Sequence, residues 1–295
     1  MNGTTTDPTL RPRLLSIAYR MTGSRTDAED LVQEAMLRVH LAGQREQIES
    51  VEAYATTVLT RLAVDHLRSA RVRRESYVGP WLPEPVAEDP GGRVRSGDAE
   101  QAVELAESLS LAFLVALESL GPVERAALLL HDVFSYDYGE IGAILDRNEA
   151  ACRQLVSRAR SRLRDARPRF DVDPSHHERL LRQFIAACSS GELDGIVSLL
   201  TDDVVLLTDG GADVRAARFP IRGRDRVARL LVRVLGRRLH WMEMRYTQVN
   251  GSTGFMLLSN DGDVVSVGSI DVRDDRIAEI DWVINPDKLA WITPP

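Results

Sequence analysis

Lysine is all but missing from this 295-residue chain: among 37 lysine and arginine residues, only Lys288 is a lysine. Any cationic surface is therefore built from guanidinium groups, whose fixed charge and planar fork of donors suit phosphate and guanine. Cysteine is scarce too. Cys152 and Cys188 supply neither a disulfide framework nor zinc spacing, and both fall on apolar faces of predicted helices, as small core residues do. No apolar run approaches the length of a membrane span. Met1 to Asp7 lack the basic start and apolar core of a signal peptide. These absences predict a cytoplasmic protein that makes no membrane contact, with no metal site and no cofactor. No Ser-His-Asp order or Gly-rich phosphate loop is visible either, so no catalytic residue is assigned.

The net charge of −7 excludes an all-over basic coat, so contact with nucleic acid must come from local patches. Two stand out, Arg61 to Arg74 and Arg147 to Arg167, and the remainder reads as acidic. From Arg147 to Arg167 there are seven arginines against Glu149 and Asp165. Here Asp137 with Glu140 forms a capping box that opens a helix carrying Ile141, Ile144 and Leu145. Asp146-Arg147-Asn148 ends it, and Asn148 caps a second helix. In that helix Cys152, Leu155, Val156, Ala159 and Leu163 keep helical spacing, while the arginines take the other face. A short helix, a tight turn and a basic helix predict a helix-turn-helix whose second helix recognises DNA.

The rest divides into blocks. Residues Leu10 to Gly79 read as all helix: one stripe of Leu14, Ile17, Ala18 and Met21 ended by Gly23, a second helix opened by a Thr26–Glu29 capping box, and a third from about Val51 to Arg71. The second helix is acidic outside. Prolines and glycines from residue 80 mark a linker. After Pro168 and Pro174 come helices near Ser175 to Ser189, Leu193 to Leu200 and Arg224 to Leu235. Five β-type runs accompany them: Val204 to Thr208, His240 to Val249, Thr253 to Leu258, Val264 to Val272 and Arg276 to Ile284. Asn250-Gly251 and Asp261-Gly262 signal hairpins, which predicts an antiparallel sheet covered on one face by helices.

Several of these segments resemble a known family. The run Asp27 to Glu34, followed one helix later by Asp65-His66-Leu67-Arg68, resembles the second conserved region of bacterial sigma factors. Pro122-Val123-Glu124-Arg125, Gly139-Glu140-Ile141 and Cys152 to Arg160 resemble the fourth. Both regions in this order, joined by a short linker, are similar to the extracytoplasmic-function group. Asp202-Asp203-Val204 and Pro220-Ile221-Arg222-Gly223 resemble SnoaL-like, NTF2-type cone domains. Three further motifs resemble the sigma subgroup carrying that extension: Trp81-Leu82-Pro83-Glu84-Pro85, Asp209-Gly210-Gly211 and Asn285-Pro286-Asp287-Lys288-Leu289. Ala212 and Asp213 depart from that subgroup, where a glycine and a basic residue are usual.

The resemblance implies two all-α domains, the second with a helix-turn-helix, followed by an α+β SnoaL-like cone. The boundaries are 8–79, an 80–107 linker, 108–168 and 174–295. It implies an alternative sigma factor that binds core RNA polymerase through Asp27, Glu29, Asp30, Gln33 and Glu34. The loop Ala42 to Ser50 and the third helix would meet the minus-ten element, with Arg61, Arg68, Arg71, Arg73 and Arg74 on phosphates and Tyr54 able to stack on a base. At the minus-thirty-five element Arg153, Gln154 and Ser157 would contact bases, and Arg158, Arg160 and Arg162 phosphates.

Trp81 and Leu82 are large apolar groups among prolines, and such groups in a stiff strand need a surface. The three motifs, the middle one read as a flexible turn, are expected to meet as a regulatory dock for the linker on the C-terminal domain. Two other functions fit parts of the sequence. One is a polymerase-independent DNA-binding regulator with a ligand-sensing cone, the ligand being open. The other is a SnoaL-like cyclase or isomerase using His240, Trp241, Asp202, Asp203 and Asp209.

Overall fold

The computed structural model describes residues 8–45, 47–75, 77–88, 110–166, 174–238 and 242–292. Side chains at 71–75, 88, 165–166, 174 and 236–238 lie outside that description. The chain forms two compact units, one drawn from Met1–Glu75 and Leu114–Pro168, the other from Ser76–Phe113 and Arg169–Pro295. The expected 8–79 and 108–168 domains thus form one unit. The described part of the linker packs with the C-terminal domain, where residues 77–88 belong to the second unit.

The first unit is helical. α1 (Leu10–Thr22) buries Leu14, Ile17, Ala18 and Met21 and ends at Gly23, whose φ of 68° lets its N–H reach Tyr19 O at 2.7 Å. α2 (Arg25–Gly43) is capped by Ser24, whose Oγ accepts from the Asp27 N–H at 3.1 Å. The Thr26–Glu29 box is therefore corrected by two residues: Ser24 has the extended backbone an N-cap needs, and Glu29 pairs with Arg25 at 2.9 Å. α3 (Val51–Glu75) buries Ala55, Leu59, Ala63 and Leu67 against α1 and α2.

α4 (Leu111–Leu117) spans the point where the units divide. α5 (Pro122–Asp132) follows, and its Arg125 is a buried staple: the guanidinium donates to Met21 O and Leu117 O, both at 2.7 Å, and to Glu118 at 2.8 Å. α6 (Tyr138–Leu145) and α7 (Glu149–Ala166) complete the unit.

The second unit is α+β. α8 (Pro174–Ser190) and α9 (Leu193–Leu199) precede β2 (Leu200–Asp209), and α10 (Arg224–Arg238) follows β3 (Ile221–Arg222). Four strands then run as a meander: β4 (Met242–Val249), β5 (Ser252–Ser259), β6 (Val264–Arg273) and β7 (Arg276–Val283). Asn250 and Gly251 (φ 50° and 71°) and Asp274 and Asp275 (φ 50° and 60°) have the left-handed pairs a two-residue hairpin requires. α11 (Pro286–Leu289) closes the domain.

The sheet order is β1-β4-β5-β6-β7-β2-β3, where β1 (Ala87–Glu88) comes from the segment before α4. One expectation needs correcting. β2 pairs with β7 in parallel, Leu206 opposite Ile280 and Asp209 opposite Val283, because the helix and meander between them return the chain in the same direction. Alternate residues of β2 (Val204, Leu206) and β7 (Ile280, Trp282) join Phe184, Leu231, Phe255 and Ile270 in the core under the helices. Their neighbours Leu207 and Asp209 therefore face the opposite side of the sheet.

Candidate functional site

The helix-turn-helix is built as its sequence dictates. The Asp137 carboxylate accepts from the Glu140 N–H at 2.8 Å, and Glu140 accepts from the Asp137 N–H at 2.8 Å. Asp146 ends α6 at φ 55°, and Asn148 Oδ1 takes the Ala151 N–H at 2.8 Å to start α7. Cys152, Val156 and Ala159 are buried, which leaves Arg153, Gln154, Ser157, Arg158, Arg160 and Arg162 exposed. Arg153, Gln154 and Ser157 line one shallow hollow with Glu149 and Ala150.

The arginines assigned to phosphates are engaged. Arg160 grips Asp132 with two donors, at 2.9 and 2.5 Å, and Arg162 reaches Glu124 at 2.5 Å with Arg158 3.7 Å from the same carboxylate. Burial works to raise the Asp132 carboxyl, but Arg160 and His131 outweigh it and hold it below its usual range. Arg153 pairs with Glu149 and lies 5.0 Å over the Tyr138 ring. These pairs are exposed on the arginine side, so exchange for phosphate costs little.

Arg61 is placed differently from its expected position on DNA. Its guanidinium donates to Ile144 O at 2.9 Å and Ala143 O at 3.2 Å, capping the carbonyl end of α6. Arg68 is exposed and pairs with Asp65 at 2.9 Å. Arg71, Arg73 and Arg74 lie on the last turns of α3, where side chains are outside the described residues. Tyr54 is 39% exposed.

On α2, Asp30 and Gln33 are exposed beside Leu37 and Leu41, while Glu29 and Glu34 are half-buried and paired with Arg25 and Arg38. Asp27 is drawn inward, 3.2 Å from His66.

In the α+β unit the three separated motifs meet around one carboxylate. Asp209 is fully buried at the end of β2. Its Oδ1 accepts from the Tyr77 hydroxyl at 2.6 Å and the Gly211 N–H at 3.1 Å. Its Oδ2 accepts from the Leu82 N–H at 2.8 Å and Lys288 Nζ at 2.7 Å. Lys288 also donates to Leu82 O and stands 4.1 Å over the Trp81 ring. Asn285 donates to the Tyr77 oxygen at 3.0 Å and caps α11 through Asp287 N–H. Burial, then the hydrogen bond to Asp209, pushes the Tyr77 phenol far above its ordinary value, so it stays a donor.

Leu82, Pro83, Glu84, Pro85 and Val86 are buried, so the apolar strand has its surface. Asp209-Gly210-Gly211, expected to be a flexible turn, is a fixed one. A Cβ on Gly210 would fall 2.5 Å from Val214 O, and one on Gly211, at φ 63°, would fall 2.7 Å from Asn285. Pro286, Asp287 and Leu289 form α11, Leu289 buried. Ala212 and Asp213 are exposed beyond the carboxylate.

Tyr77, Val86 and Asn250 were not singled out by sequence. Asn250 reads only as a hairpin residue, yet its N–H donates to Val86 O at 2.8 Å and its Oδ1 takes the Val86 N–H at 3.1 Å. The residues of the enzyme reading have separate partners: exposed Asp202 pairs with Arg224 at 2.9 Å, exposed Asp203 with Arg273, and Asp209 with Lys288. His240 and Trp241 lie outside the described residues. Among the described residues no helix is long and apolar enough to cross a membrane.

Known proteins share these features. Residues 9–73 match the sigma-70 region 2 family and residues 110–163 the sigma-70 region 4 family. Over 292 residues, 95% of this chain and 91% of the relative, the sequence is 38% identical to the ECF RNA polymerase sigma factor SigJ of Mycobacterium tuberculosis. It is 35% identical over 233 residues to the probable ECF RNA polymerase sigma factor SigI of that species, covering 78% of this chain and 74% of the relative. The crystal structure of Mycobacterium tuberculosis SigJ is similar with a TM-score of 0.75 at 35% identity, covering 96% of each chain.

Proposed function

The chain belongs to the extracytoplasmic-function sigma factors of RNA polymerase, and from that premise we propose that its α+β domain controls promoter recognition in cis by holding the segment that joins its two sigma regions. As an alternative sigma factor it directs promoter-specific initiation of transcription. Core polymerase docks on the outer face of α2, where Asp30, Gln33 and Glu34 flank the exposed apolar Leu37 and Leu41. Such a face, charged at the rim and apolar between, suits a basic partner and reversible exchange. The basic end of α3 meets the minus-ten element and α7 the minus-thirty-five element. On α7, Arg153, Gln154 and Ser157 read bases from the major groove, and Arg158, Arg160 and Arg162 leave their carboxylates for phosphates.

The observation that carries the regulatory reading is the four-donor environment of Asp209, which ties Tyr77 and Leu82 to Lys288 and Gly211. A segment so held has one conformation, and releasing it changes the reach between the two DNA-binding regions. Control requires that held and released forms differ in affinity for polymerase or promoter. Run-off transcription with core polymerase tests this, comparing the full chain, a chain ended after Asp173 and the variant Asp209→Asn at matched protein levels. Altered output from one promoter, with sequence preference retained, is expected. Equal transcription by all three would make the domain an idle appendage.

A further inference from the structure

The acidic remainder expected outside the two basic patches is interrupted in the α+β domain. Residues 213–233 carry seven arginines against Asp213 and Asp225, in a chain whose net charge is −7. Arg224 is spent on Asp202 at 2.9 Å. The other six, Arg215, Arg218, Arg222, Arg226, Arg229 and Arg233, are exposed, and none of their guanidinium groups has an ion pair or hydrogen bond to another described residue. That sets them apart from Arg153, Arg160 and Arg162 on α7, all of which are paired.

Their placement is regular. Arg222 sits on β3, the edge strand beyond β2, opposite Val205. Arg226, Arg229 and Arg233 follow on α10 at i, i+3 and i+7, a single outward stripe opposite the buried Val227, Ala228, Leu231 and Leu235. The amide end of α10 adds positive potential beside Arg222. Between Arg218 and Pro220 stands Phe219, 79% exposed.

We propose that this surface, β3 with the outer face of α10 and the loop before it, binds the phosphate backbone of duplex DNA without reading its sequence. Charge complementarity argues for DNA over a protein partner. Protein interfaces bury an apolar centre, whereas DNA interfaces are polar and strongly cationic. Here one exposed aromatic group stands among six guanidinium groups that have no partner among the described residues. Asp225, in the first turn, is the single carboxylate on this face of α10, and the arginines lie on a helix flank, as backbone contacts do. The surface goes beyond the proposed regulation: it gives the α+β domain its own hold on DNA, separate from the Asp209 clamp.

The test uses the free full-length protein and a scrambled duplex of about 30 base pairs, so that neither polymerase nor a promoter enters. Each lost phosphate contact lowers the slope of log K against log salt by about 0.9. The triple variant Arg226→Ser/Arg229→Ser/Arg233→Ser should therefore bind with a slope shallower by about 2 to 3, and equally so on promoter DNA. The triple Arg→Lys variant keeps the charge and should restore the slope, which separates lost contacts from a damaged fold. Unchanged slope and affinity in the serine variant overturn the proposal. So does unchanged DNA binding together with weaker assembly with core polymerase, which would assign the patch to an acidic protein surface. Failure of the Asp209→Asn transcription test would leave this slope untouched, and the two readings fail separately.

Discussion

Lys288 Nζ lies 2.7 Å from Asp209 Oδ2 with both side chains buried, so the chain's only lysine neutralises a carboxylate that solvent does not reach. The pair also orders three backbone and side-chain donors around it. Removing one partner strands the other charge. Asp209→Asn or Lys288→Met alone should each destabilise the α+β unit by about 3–5 kcal/mol. The double variant should cost clearly less than the sum. Denaturant unfolding of the four proteins measures this, and strict additivity would mean that the pair is not coupled.

The proposed DNA contact gives Arg153 and Arg162 different roles, recognition and attachment. Arg153→Ala should relax preference at one or two upstream promoter positions, costing about 1–3 kcal/mol of discrimination. Arg162→Ala should weaken binding to every sequence alike. Competition binding on promoter and scrambled upstream elements checks both. The same loss on both DNAs for both variants would refute the division of labour.

Gly211→Ala places a side chain at a φ of 63° and against Asn285. Strain of about 1–2 kcal/mol is expected from the backbone alone. The push on Asn285 also breaks its bond to Tyr77. The variant should melt earlier and shift transcription in the same direction as Asp209→Asn. A shift in the opposite direction would show that the glycine turn and the carboxylate do not act together.

Burial pushes the Cys188 thiol up to about 12 and raises Cys152 as well, both with little access to solvent. At pH 8 the reactive thiolate at Cys188 is then only about one part in ten thousand. Disulfide reagents should label neither cysteine in the native protein and both in guanidinium. Fast labelling at pH 8 before unfolding would contradict the packing at α7 or α8.

The helix-turn-helix was legible because its determinants are local: Asp137 and Glu140 cap each other across three residues, and Asn148 caps the next helix. The meander was legible through Asn250-Gly251 and Asp261-Gly262, where the positive φ values of Asn250, Gly251 and Gly262 demand such residues. Asp274-Asp275 makes an equivalent turn without glycine and went unmarked. β1 and β3 have two residues each, too short for any periodicity. The pairing of β2 with β7 depends on seventy residues of intervening chain, which no local pattern reports. The meeting of Trp81 to Pro85 with Asp209 and Lys288 was expected from motifs alone. The chemistry was not: a glycine-rich turn suggests freedom, and burial of the preceding carboxylate is invisible until its four donors are in place. Arg61 shows the opposite case, where a basic residue read as a DNA contact caps a helix within its own unit.

The strand at Ala87–Glu88 is completed by residues that the ribosome makes much later, since Val86 and its partner Asn250 are 164 positions apart. Both sigma regions leave the ribosome before the β4–β5 hairpin exists to receive that strand. During synthesis Leu82 and Val86 therefore wait uncovered, and the long loop must close before the edge is sealed. The seat at Asn250 and the Lys288–Asp209 pair form only once the end of the chain has emerged, so under the proposed regulation a product of premature termination keeps both sigma regions but lacks the hold on the segment between them.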